Sequence, residues 1–112
     1  MAIKSRKSGK IFCEEFETAD NLLSQIKGLM FSKKKNILFV FSNEGEHPIH
    51  SYFVGFPFHA IYLDDGMKVV DAHYVKPNTS LVKSRKPARY LLELCEENAP
   101  RVGDVLCLDG KY

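Results

Sequence analysis

The stretch FHAIYLDDGMKVVDAHYV, residues 58–75, has the pattern of two β-strands joined by a turn. β-branched and aromatic residues dominate both halves, and the Asp65-Gly66 pair between them is a strong hairpin signal. A two-residue loop would place Phe58 opposite His73. This hairpin is the element from which a β-sheet fold is predicted.

Side chains alternate between the two faces of a strand, which divides the residues of this hairpin into two sets. Asp71 and His73 are predicted to share one face, and His59 lies on the other. The neighbours expected beside His59 are all apolar: Ile61, Leu63, Val70 and Ala72. We therefore expect a buried, neutral His59 that cannot share a metal with His73.

Most of the remaining chain also has strand and turn patterns. Further strands are predicted near residues 11–14, in NILFVF (36–41), in ARYLLEL (88–94) and in VLCL (105–108). One segment has a helical period, with apolar residues spaced by three and four over a helix at 18–27. The prediction is a mainly β (α+β) fold, a compact β-sandwich or barrel of five to seven short strands with one N-terminal helix packed on it.

Length and composition indicate one globular domain over residues 1–112, with 1–10 as a flexible basic terminus. The net charge is +2, and hydrophobic residues make up 45% of the chain. Three cysteines at wide spacing do not suggest a disulfide framework. No apolar run matches a secretion signal or a membrane span, so we expect a cytoplasmic protein with no membrane partner.

The candidate site residues fall into three groups. His47, His50 and Tyr52 lie near the predicted turn before the hairpin, where imidazoles and one aromatic ring could line a cleft. Asp71 and His73 lie two residues apart on one face, so the carboxylate could orient the imidazole. Zinc needs three or four converging ligands, and no such spacing occurs here. We expect no metal, no cofactor and no catalytic residues, since no nucleophile motif accompanies the pair.

A polar loop at 76–87 carries a third candidate group, Lys83 and Arg85. Arginines there could bind the carboxylate or phosphate of a small ligand. Cationic side chains near aromatic ones are also typical of nucleic-acid surfaces. The 14 acidic residues favour an ordinary solvated face instead.

The order of several motifs resembles the domain of unknown function family numbered 192. These motifs are Gly28-Leu29-Met30-Phe31, ILFVF, GEH, AIYLD, KVVDAH, PARYLLEL and RVGD, and they extend over roughly residues 18–108. The resemblance implies a β-rich fold and no established activity. The family pattern usually has a Trp-Met-Lys-Asn-like run where this chain has residues 50–53, and an aspartate at the position of His59. Many bacterial members of the family are exported, and this chain resembles a cytoplasmic variant.

These observations favour a non-catalytic module that binds a small or anionic ligand. An RNA- or DNA-binding accessory protein is the second interpretation, and a hydrolase is the third. A homodimer is compatible with the first interpretation.

Overall fold

A computed structural model describes residues 1–20, 33–49, 51, 54–79 and 82–109. They form eight strands: β1 (Ala2–Ser5), β2 (Ile11–Cys13), β3 (Glu17–Ala19), β4 (Ile37–Gly45), β5 (Phe58–Leu63), β6 (Val69–Val75), β7 (Ala88–Leu94) and β8 (Leu106–Asp109). The mainly β prediction is confirmed, with one strand more than the predicted maximum.

The strands form two open sheets. One has five strands in the order β3-β4-β7-β5-β6, and the other has three in the order β2-β1-β8. All pairs are antiparallel except β3 with β4. Neither sheet closes on itself among the described residues, so the barrel alternative was wrong. The described strands instead form two separate sheets.

The five-stranded sheet is buried on both faces. One face packs on the three-stranded sheet, through Ile3, Phe12, Leu38, Ile61 and Leu92. The opposite face packs on the segment before β5, through Phe39, Val54, Phe56, Tyr62 and Leu91. Strands buried on both sides have continuous rather than alternating apolar runs, which explains ILFVF and YLLEL.

The predicted hairpin forms from β5 and β6, but its register is two residues away from the expected one. Phe58 lies opposite Val75, not His73. The loop at 65–67 is one residue longer, with Met67 at a φ of 64°, and a bulge leaves Val70 with no residue opposite it. Because the shift is even, the faces of residues 71–75 are preserved. At the bulge, Val69 packs on the face of Leu63 and Val70 on the opposite face, so both exchange sides relative to the prediction.

The predicted helix at 18–27 was wrong at its start, because Glu17–Ala19 is a strand parallel to β4. The Glu17 N–H donates to the Asn36 carbonyl at 2.9 Å, so pairing with the sheet replaces a helix cap. Residues 21–27 of that prediction lie outside the described residues. No α-helix occurs in the part of the chain that the structure describes.

The first residues differ from the flexible terminus that was expected. β1 is the middle strand of the small sheet, between β2 and β8, and its Ile3 is fully buried. Pairing on both sides fixes this segment although it contains few apolar residues. Among the described residues, no helix is long and apolar enough to cross a membrane.

Candidate functional site

The Asp71 carboxylate is the centre of the most extensive polar cluster around a predicted site residue. Only 1% of its side chain is exposed, and it accepts five hydrogen bonds. Arg85 provides three of them, from Nη2 at 2.8 Å, Nε at 3.3 Å and its backbone N–H at 2.9 Å. His73 Nε2 lies 2.9 Å away, and the Ala72 N–H donates at 3.0 Å. Three of the predicted residues, Asp71, His73 and Arg85, are therefore in contact.

These hydrogen bonds decide the charge of Asp71. Burial opposes ionisation, but the hydrogen bonds from Arg85 and His73 outweigh it and hold the pKa of Asp71 below its ordinary value. The carboxylate is therefore ionised at neutral pH and ties Arg85 to β6. The cluster anchors the 82–86 segment to the sheet.

No side-chain nucleophile accompanies His73 among the described residues. The hydroxyl of Ser84 instead donates to the Lys86 carbonyl and accepts from the Lys86 N–H at 3.2 Å. Tyr62 presents its ring edge to His73, but its hydroxyl donates to the His47 carbonyl at 3.2 Å. Within the described ranges, no serine, threonine or cysteine hydrogen-bonds His73. The arrangement fits an anchored arginine better than an active site.

The other predicted residues lie apart from this cluster. His47 stacks on Phe41, with ring centroids 3.6 Å apart, and its Nε2 is 3.2 Å from the Asn43 carbonyl. Lys83 makes an exposed pair with Glu46 at 3.9 Å. His50 and Tyr52 lie outside the described residues. No three His, Cys, Asp or Glu side chains converge as metal ligands within the described part of the chain.

A large cleft lies elsewhere, between the β1–β2 turn (residues 5–10) and the segment 97–105 that precedes β8. We call it the turn–loop cleft, and its volume is about 910 Å³. Its cationic side chains come from both walls, and two rings contribute to its lining: Arg6, Lys7, Lys10, Arg101, Phe12 and His59. No residue of this set was among the predicted site residues.

Backbone hydrogen bonds position the two walls of the turn–loop cleft. Ser5 N–H donates to the Lys10 carbonyl at 2.7 Å, which closes the turn. Gly9 has a φ of +75°, a conformation that favours glycine. The Arg6 N–H donates to the Val105 carbonyl at 2.8 Å and joins the turn to the opposite wall. The cations of the turn are therefore carried on fixed backbone.

The cations of the turn–loop cleft have no acidic partners. Arg6, Lys7, Lys10 and Arg101 make no ion pair with any described residue, whereas Arg85 and Arg89 are paired with Asp71 and Asp65. Two acidic side chains, Glu97 and Asp104, also line the cleft. The Asp104 carboxylate already accepts the Arg101 N–H at 2.8 Å. The cleft therefore has an excess of unpaired positive charge.

His59 also lines this cleft. β5 places it opposite Tyr74 and Leu94, and its ring is 4.9 Å from the Tyr74 ring. Burial lowers the pKa of His59, which agrees with the expected neutral imidazole. Neither of its ring nitrogens is hydrogen-bonded to a described residue.

A second cleft, of about 360 Å³, lies beside the end of β7, and several of its polar groups are already paired. The Asn36 side-chain amide donates to Glu96 at 2.9 Å and accepts the Cys95 N–H at 2.7 Å. Lys35 pairs with Glu17 at 2.9 Å. These contacts leave fewer free groups for a ligand than the turn–loop cleft has.

A buried carboxyl group, that of Glu93, lies on β7, the strand between β4 and β5. Glu93 is 4% exposed and lies opposite Ile37 on β4 and Ala60 on β5. Its Oε1 makes no hydrogen bond within the described structure. Burial raises the pKa of Glu93 to about 8, so the group is largely protonated at neutral pH.

Comparisons with known proteins agree with the resemblance in the sequence. Residues 3–104 match the model of the DUF192 family, described as "Uncharacterized ACR". A UPF0127 protein of Pyrococcus furiosus is 33% identical over 105 residues, which are 88% of this chain and 90% of that protein.

Two solved structures have the same fold. A protein of unknown function from Novosphingobium aromaticivorans superposes with a TM-score of 0.84 at 16% identity, over 96% of this chain and 84% of its own. A candidate transcription regulator from Sinorhizobium meliloti has a TM-score of 0.79 at 21% identity, over 94% of this chain and 88% of its own. At these identities the likeness concerns the fold.

Proposed function

We propose that this chain, which belongs to the DUF192 family of uncharacterised proteins, is a non-catalytic module that binds a small anionic ligand. Membership of the family implies no activity, so the proposal is argued from the geometry of the turn–loop cleft. The observation that carries the proposal is the set of four unpaired cations around one cleft. The same cleft has a volume in the range of ligand sites in other proteins.

The distribution of ion pairs supports this location over the predicted basic loop. There, Lys83 is paired with Glu46 and Arg85 with Asp71, so those cations are partly neutralised. In the turn–loop cleft, four cationic and two acidic side chains leave a formal excess of two positive charges. Charge-assisted hydrogen bonds to a phosphate or sulfate are stronger than neutral ones. An anion with several oxygens would meet donors from both walls.

The chemistry of the cleft favours binding over catalysis. His59 has no nucleophile within hydrogen-bonding distance in the described structure. A hydrolase would need a base and a nucleophile in mutual contact. A ligand held by cations on two fixed walls needs neither.

The test is calorimetric titration with inorganic pyrophosphate at low ionic strength, where screening is weakest. We expect saturable binding to the wild type. Replacing Arg6 and Arg101 with glutamate should weaken it by more than about tenfold, because each hydrogen bond to a charged group contributes about 1.5–3 kcal/mol. Absence of saturable binding would reject the proposal.

A matched variant separates a specific site from a general effect of charge. Lys33 and Lys76 are exposed and lie outside the cleft lining. Replacing both with glutamate changes the net charge equally and should leave the affinity within about twofold, because distant exposed charges are screened. Equal weakening in the two double variants would show that pyrophosphate follows net charge rather than the cleft.

A further inference from the structure

We propose that His59 hydrogen-bonds the anion on the lining of the turn–loop cleft and takes up a proton as the anion binds. This rests on the proposed function, since it concerns the same cleft. It adds a ligand-facing residue and a dependence on pH, and it assigns the ligand to strong-acid anions with free oxygens, such as phosphate or sulfate groups.

The geometry of the described histidines singles out His59. His73 is held by Asp71 at 2.9 Å, and His47 lies 3.2 Å from the Asn43 carbonyl while stacked on Phe41. His59 has neither kind of partner and is the imidazole that lines the cleft. A partly buried polar group without a partner gains most from a ligand that supplies one.

Charged groups from both walls line the turn–loop cleft together with His59. The β1–β2 turn contributes Arg6, Lys7 and Lys10, and the segment before β8 contributes Arg101 with the acidic Glu97 and Asp104. Tyr74 packs against the ring from β6. Burial lowers the pKa of the imidazole.

An anion in the cleft reverses this balance. An opposite charge within about 4–6 Å favours the charged form of a titrating group. The pKa of His59 should therefore be higher in the complex than in the free protein. By linkage, affinity rises as the pH falls between these two values, by about tenfold for each unit that separates them.

Inorganic sulfate is the probe, because its charge is constant over the range in which histidine titrates. Affinity is measured by calorimetry between about pH 5 and 8, and the ring protons of the histidines are followed by NMR with and without sulfate. We expect affinity to rise by about tenfold on acidification, and the pKa of His59 to rise by about one unit on binding.

Two substitutions identify the source of the effect. His59→Asn should bind sulfate with little dependence on pH, whereas His47→Asn, outside the cleft, should keep the dependence of the wild type. If His59→Asn does not fold, His59→Gln replaces it, and the ring titration of the wild type still decides. Retained pH dependence in the His59 variant, or an unchanged His59 pKa on binding, would overturn the inference. Absence of sulfate binding at every pH would instead reject the proposed function.

Discussion

Arg85 holds the buried carboxylate of Asp71 with two side-chain hydrogen bonds, at 2.8 and 3.3 Å, although 79% of its own side chain is exposed. Its backbone N–H adds a third bond at 2.9 Å. An exposed arginine thus satisfies a carboxylate that the sheet has buried, and the contact joins the 82–86 segment to an edge strand.

The first prediction concerns the loss of this arginine. Arg85→Ala leaves the buried Asp71 with fewer donors and should lower the free energy of unfolding in urea titration at pH 7. Lys83→Ala removes only an exposed pair and should cost less than about 1 kcal/mol. Equal effects of the two substitutions would contradict the role of Arg85.

The same pair predicts a dependence on acid pH. Because the folded pKa of Asp71 lies below its ordinary value, the stabilisation is present above the unfolded pKa and is lost as pH falls through the folded one. The difference in stability between the wild type and Arg85→Ala should therefore shrink below about pH 4. Urea titrations at a series of acid pH values measure it, and a constant difference would rule out Asp71 as the origin.

The second prediction concerns Glu93, whose shift has the opposite sign. Its folded pKa is raised to about 8, so its contribution is fully present below the unfolded value and is lost as pH rises through about 8. Glu93→Gln should match the wild type at about pH 4, below the unfolded pKa, and should become progressively more stable than the wild type as the pH rises to about 8, by several kcal/mol. Glu14→Gln, at an exposed position, is the control and should show no such divergence.

The third prediction concerns the turn before β8. Gly103 has a φ of +100°, and a Cβ added there would meet no atom within 4 Å. Gly103→Ala should therefore destabilise through backbone strain, by about 1–3 kcal/mol in thermal or urea unfolding. Gly55 has the same open space without a positive φ. Gly55→Ala should be neutral or slightly stabilising, and a similar loss in both variants would point to a cause other than strain.

Local patterns in the sequence were sufficient for the strands but not for their exact pairing. Strand and turn formation can be predicted from residues that are neighbours along the chain, as at the apolar runs 36–41 and 88–94 and at the turn Asp65-Gly66. The register of β5 with β6 depends on a bulge at Val70 and on the conformation of Met67, which composition does not reveal. At residues 17–19, pairing with β4 takes the place of the predicted start of the helix, because it depends on a strand that is distant in the sequence.

The candidate site was predictable to a similar extent. The contact of Asp71 with His73 follows from a spacing of two on one strand, which sequence shows directly. The turn–loop cleft joins Arg6 to residues near Val105, almost a whole chain length away. The cluster of basic residues near the start of the sequence was visible, but only the pairing of β1 with β8 places Arg101 beside it.

This pairing also determines when the cleft can exist during biosynthesis. β1 is synthesised before the other described strands and its partner β8 after them, so one wall of the cleft waits for the other. A nascent chain, or one truncated before Leu106, would display Arg6 and Lys7 on an incomplete surface. The proposed anion binding therefore requires both β1 and β8, and capture on an immobilised anion should separate molecules that contain β8 from those truncated before Leu106.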